Sequence, residues 1–213
     1  MSIRRSVSFV AVLALTGLLG AGVRAQVGAP GIEDLNSMPA SALAALPGMS
    51  ATIADAFVEA RPFATIVAAN TFLLGQKLTQ EQLTAIYERA FVHLNLNTAT
   101  AEEIQLIPRA GTRMAREFDE YRPWINFAQF DREIGKYVDA AEVNRLKQYV
   151  FIPLKLNTAT PAEFMTVPGV GERMVREFQE YRPWQTQAQF EREIGKYVDQ
   201  KEVARLWRFV TIQ

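Results

Sequence analysis

Cysteine is absent from the 213 residues. Disulfides are therefore impossible, and stability has to come from packing. A lipid anchor at a cleaved N-terminal cysteine is also excluded. Histidine is nearly absent, with His93 alone in the chain. One imidazole and no thiol leave no cluster of metal ligands, so neither a metal nor a cofactor is expected. A catalytic residue is not expected either, nor a small-molecule substrate. A charge excess of one sign is missing too, since 23 basic residues balance 23 acidic ones. Dedicated nucleic-acid binders show a clear basic excess. Beyond the first 25 residues the sequence has no long apolar run, so no stable membrane span is expected in the rest of the chain.

The exception lies at the start. Arg4 and Arg5 precede an apolar stretch from Val7 to Ala21, and Val23-Arg24-Ala25 offers small residues at the two positions a signal peptidase reads. This is the layout of a secretory signal peptide. At 1.5 Å per residue the stretch reaches about 22 Å, short of the ~30 Å hydrocarbon core. The sequence predicts cleavage after Ala25 and export to the periplasm or the medium. Loss of Arg4, Arg5 and Arg24 would leave 20 basic residues against 23 acidic ones.

What the rest contains is a repeat, which decides the architecture. Leu96-Asn97-Thr98-Ala99-Thr100 returns as Leu156-Asn157-Thr158-Ala159-Thr160. Glu120-Tyr121-Arg122-Pro123-Trp124 returns as Glu180-Tyr181-Arg182-Pro183-Trp184. Residues 95–152 and 155–212 share 35 identities in 58 positions. A diverged copy precedes them, carrying Asp34-Leu35-Asn36, Leu46-Pro47-Gly48 and Ala60-Arg61-Pro62-Phe63. The units are 26–92, 93–152 and 153–213. They follow one another with almost no linker, which predicts three units stacked end to end.

Each unit reads as all-α. Thr100 and Glu103, and Thr160 and Glu163, fit capping boxes, with Pro161 at the first helical position. Pro108 and Pro168 stop the short helix that follows. Met174, Val175, Phe178 and Tyr181 sit at helical spacing on the next one. Gly195 allows a turn, and Asp199 caps a last helix with Val203, Leu206 and Val210 inward. Trp124, Trp184, Tyr121 and Tyr181 hold equivalent places and are expected in the core rather than stacked on bases.

Val167-Pro168-Gly169-Val170-Gly171-Glu172-Arg173-Met174-Val175 resembles the helix-hairpin-helix motif. With Leu156-Asn157-Thr158 before it and Glu180-Tyr181-Arg182 after it, the unit looks like the ComEA-type family, and is similar to the photosystem II extrinsic protein PsbU. The ComEA resemblance implies an exported, non-enzymatic protein that binds double-stranded DNA without reading sequence. The PsbU resemblance implies a protein-binding scaffold or extrinsic subunit of a membrane-associated complex. Helix-hairpin-helix glycosylases carry a catalytic Lys or Asp in a longer domain, and nothing here matches them.

The turn has its own physics. Glycines let the backbone bend tightly, and the next helix then offers free N–H groups to a phosphate. The expected phosphate contacts are Gly169, Val170, Gly171, Arg173 and Arg176. Lys201, Arg205 and Arg208 join them as a basic stripe at i, i+4 and i+7. The second unit has Arg109 in place of the first glycine, and the first has Ser50 in place of the second. Only the third unit is net positive, with 9 basic and 8 acidic residues.

Overall fold

The computed structural model describes residues 31–212. The expected signal peptide and its cleavage site lie outside them. The described chain is mainly helical, and none of its helices is long and apolar enough to cross a membrane.

Three copies of one arrangement follow each other. The first has β1 (Glu33–Asp34), α1 (Ala40–Ala44), α2 (Ala51–Ala60), α3 (Ile66–Gly75), α4 (Gln80–Tyr87) and β2 (Ala90–Phe91). The second has β3 (Leu94–Asn95), α5 (Ala101–Gln105), α6 (Gly111–Glu120), α7 (Phe127–Ile134), α8 (Ala140–Lys147) and β4 (Val150–Phe151). The third has β5 (Leu154–Lys155), α9 (Pro161–Phe164), α10 (Glu172–Glu180), α11 (Gln187–Ile194), α12 (Gln200–Trp207) and β6 (Val210–Thr211). The strands are two residues each, and the all-α character expected from the sequence holds. In every copy the first strand pairs in parallel with the last, as Glu33 with Ala90, Leu94 with Val150 and Leu154 with Val210. Each copy thus enters and leaves at one edge.

The capping residues act as the sequence predicts. Thr100 and Thr160 complete capping boxes with Glu103 and Glu163, satisfying N–H groups that a helix start leaves free. Asp139 and Asp199 cap α8 and α12. Trp124 and Trp184 are buried, and each indole N–H donates to a helix carbonyl, of Phe118 and Phe178. Burying that polar atom with a partner removes its desolvation penalty.

The repeated motifs find their purpose here. The Asn97 side chain donates to the Trp124 carbonyl at 3.0 Å and accepts from its N–H at 2.6 Å. Asn157 does the same to Trp184, and Asn36 to Phe63. Arg182 donates from Nε to the Leu156 carbonyl at 2.6 Å and from Nη2 to that of Ala159 at 2.5 Å. Arg122 repeats this on Leu96 and Ala99. The Leu-Asn start and the Arg-Pro-aromatic corner are therefore two halves of one clamp. The Arg-Pro peptide at that corner is cis in all three copies.

Neighbouring copies share aromatic contacts. Phe91 meets Tyr149 at 5.2 Å between ring centroids, and Phe151 meets Phe209 at 4.6 Å. The copies do not simply run end to end, however. The third returns to the first: Lys201 Nζ donates to the Glu59 carbonyl of the first copy at 2.6 Å, and Arg208 Nη2 to the carbonyl of His93, in the link between the first and second copies, at 3.0 Å. The expected linear stack is corrected to an arrangement in which α12 closes against the first copy. Periodicity had marked the basic face of this helix but not what covers it.

Candidate functional site

The residues expected to meet phosphate divide into two groups. At the turn, Gly169 takes φ +77°, a left-handed conformation. Gly48 and Arg109 take φ +74° and +66° at the same place, so all three copies make this bend whether or not glycine is present. Gly171 is the N-cap of α10, with no side-chain cap. A Cβ added there would meet nothing within 4 Å. Ser50 fills that position in the first copy and accepts from the Ile53 N–H. Val170 is buried, while Gly169, Gly171, Arg173 and Arg176 are exposed. Arg173 lies over the Tyr197 ring at 5.4 Å, a cation–π contact.

The second group is divided, with Lys201 exposed, Arg205 buried and Arg208 half-buried. Arg205 is paired with Glu202 through two bonds of 2.7 and 2.6 Å, and its side chain is only 3% exposed. Its Nη2 sits 3.0 Å from where a Gly169 Cβ would be, and that point is 3.7 Å from Ser37 Cβ. The turn of the third copy thus abuts the first turn of the first copy. Together with the bonds of Lys201 and Arg208, this turns the basic stripe toward the first copy. The expectation that Lys201, Arg205 and Arg208 form an open phosphate-binding face is corrected for Arg205 and Arg208, while Lys201 stays exposed. Their donors are directed to Glu59, Glu202 and His93.

At the centre of this seam lies a pair that sequence reasoning missed. Asp34 Oδ2 is 3.1 Å from His93 Nδ1, and both side chains are buried. Asp34 Oδ1 also accepts from the Asn36 N–H at 2.7 Å. Burial pushes the Asp34 carboxyl up. The hydrogen bond with His93 and the charges of His93, Arg208 and Arg205 more than offset this and hold it below the ordinary range. Burial pulls the Arg61 guanidinium down to about 10, with Asp34 opposing and Arg205 adding to the shift. Burial likewise lowers Arg208. Arg61 and Arg208 remain charged at neutral pH. The available signal was positional. Asp34 stands where the later copies have Asn95 and Lys155, and the only histidine lies in the link that follows the first copy.

A cleft of about 460 Å³ opens between the second and third copies, lined by Trp124, Ile125, Pro153, Lys155 and Glu163 among others. Ile125 is 67% exposed, the most exposed large apolar side chain among the described residues. The matching junction between the first and second copies has Ala64, His93, Asn95 and Glu103 in those places, and Arg208 from the third copy reaches into it. Among the described residues no group of acidic or histidine side chains is arranged to hold a metal.

Compared with known protein families, curated proteins and solved structures, the chain matches none.

Proposed function

We propose that this chain is an exported, non-enzymatic protein of three helix-hairpin-helix units that works as a protein-binding scaffold. One observation carries this reading. Two of the three cations of the basic stripe that would have met DNA, Arg205 and Arg208, are engaged within the molecule, on Glu202 and the His93 carbonyl, and the third, Lys201, is exposed and bonded to the Glu59 carbonyl. A phosphate backbone binds through accessible cations, each releasing counterions. With Arg205 and Arg208 engaged internally, this face offers a phosphate backbone fewer free cations than the sequence predicts. The cleft beside Ile125 offers the scaffold its contact surface, because it combines exposed apolar area with nearby polar groups.

Weak DNA binding is the second reading. It keeps one supporting observation, the exposed Gly171 start of α10 with exposed Arg173 and Arg176. Fluorescence anisotropy on a short duplex at 50 mM salt separates the two. The scaffold reading expects no saturable binding by the chain at tens of micromolar. Saturable binding there, lost on Arg176→Gln, would establish the DNA reading instead.

A further inference from the structure

Four of the six tyrosines stand in pairs, and the pairs repeat. The Tyr121 and Tyr137 hydroxyls meet at 2.8 Å, and those of Tyr181 and Tyr197 at 2.9 Å. Their ring centroids are 6.4 and 6.5 Å apart. All four residues are half-buried and keep some contact with solvent. Tyr87 and Tyr149 are buried, and both meet Phe91 instead.

A carboxylate and two cations accompany each pair. Glu117 stands beside the Tyr137 hydroxyl, and Glu177 beside that of Tyr197. Each carboxylate keeps a buried Oε2 with no hydrogen-bond partner. The bond with Tyr121, and after it the neighbouring Glu117, push the Tyr137 phenol up, so it holds its proton at neutral pH. Lys136 lies over the Tyr121 ring at 5.0 Å, and Arg113 over the Tyr137 ring at 5.2 Å. Lys196 and Arg173 repeat this over Tyr181 and Tyr197. The first copy has Ala60, Lys77 and Ala56 in the places of Tyr121, Tyr137 and Glu117. Phenols and carboxylate are thus present together or missing together.

Such surroundings suit a phenol that is oxidised. Taking an electron from it leaves a positive ring unless its proton leaves as well. A cation above the ring opposes that charge, so electron and proton must go together. Glu117, with an unsatisfied carboxylate oxygen, is the acceptor for the proton. Two phenol radicals couple at the ring carbons beside their oxygens. In the product both hydroxyls flank the new bond and remain neighbours. Hydroxyls already in contact therefore bring the reacting carbons close. Tyr121 follows α6 and Tyr137 lies in the turn after α7, so neither is held inside a helix.

We infer that Tyr121 with Tyr137, and Tyr181 with Tyr197, are oxidative cross-linking sites, each pair joining as one dityrosine when a peroxidase draws electrons from it for hydrogen peroxide. Each phenol loses one electron and one proton. One carbon–carbon bond forms, and the ring hydrogens at its two ends move to the oxygens and restore the hydroxyls. The peroxide takes both electrons and both protons and leaves as two waters. The link ties the end of α6 to the turn after α7, 16 residues apart. In a chain without cysteine it supplies the tie that a disulfide gives elsewhere.

Treating the full chain with a peroxidase and hydrogen peroxide tests this. Peptide mapping by mass spectrometry should find Tyr121 joined to Tyr137 and Tyr181 to Tyr197 within one chain, each link lighter by two hydrogen atoms. Tyr137→Phe should lose the first link and keep the second, and Tyr197→Phe the reverse. Glu117→Gln should slow the Tyr121–Tyr137 link severalfold against the Tyr181–Tyr197 link of the same molecules. In urea, where the contacts are gone, the preference for these pairs should be lost. Links spread over all six tyrosines of the folded chain, or formed mainly between chains, would overturn the sites. The same pairs joined equally well in urea would do so too. An unchanged ratio of the two links in Glu117→Gln would overturn the part given to the carboxylate.

Discussion

At the scale of single residues, the asparagine of the Leu-Asn start does the work of a piece of backbone. Its amide donates and accepts across 27 residues to one peptide unit of the Arg-Pro-aromatic corner. Asn157→Ala leaves a part-buried N–H and carbonyl of Trp184 without their partner. The expected cost is about 2–3 kcal/mol in urea denaturation. Asn157→Asp keeps the acceptor and loses the donor, and should cost less. A loss below about 0.5 kcal/mol for the alanine variant would mean that the clamp is incidental. The motif itself was plain in the sequence, but its role was not, because a hydrogen bond between residues 27 apart leaves no periodic trace. The Asp34–His93 contact, 59 residues apart, escaped for the same reason.

The scale of elements was the most legible. A hydroxyl followed three residues later by a carboxylate gave the starts of α5 and α9, and aspartate gave those of α8 and α12. Strands of two residues were not legible, since alternation needs a longer run to show. The same local chemistry supports a paired prediction. Thr160→Ala removes the capping box of α9 and should destabilise by about 1 kcal/mol. Gly171→Ser should go the other way by a few tenths of a kcal/mol, since Ser50 caps the equivalent helix and the space for a Cβ is open. Chemical denaturation of both variants measures this, and a destabilising Gly171→Ser would show that the turn tolerates no cap there. Gly169 is a different case. Arg109 shows that the bend itself admits arginine, yet a side chain at Gly169 would press on Arg205 and Ser37.

For the whole molecule, the closure of the third copy onto the first brings Arg205 and Arg208 near the buried Asp34 carboxylate, which is held below its normal pKa. Asp34 therefore contributes stability that is present above its unfolded value near 3.8 and is lost as pH falls through the lower folded value. The groups facing it are His93, Arg205 and Arg208, with Arg61 nearby. Acid unfolding below about pH 4 should steepen because of this one residue. Asp34→Asn should be less stable at pH 7, and the gap to the parent should narrow toward pH 3. A gap that stays constant with pH would rule out the charge as its cause. The pairing of first and last strands has a different kind of consequence. The two strands of each copy run in the same direction, so tension on the chain drags them past each other along their length. The short pairs 33–34 with 90–91, 94–95 with 150–151 and 154–155 with 210–211 are thereby loaded in shear. Every hydrogen bond of a pair must then yield together rather than one at a time. The fold places a small mechanical lock at the entrance of each copy, closed by the same two links that string the copies together.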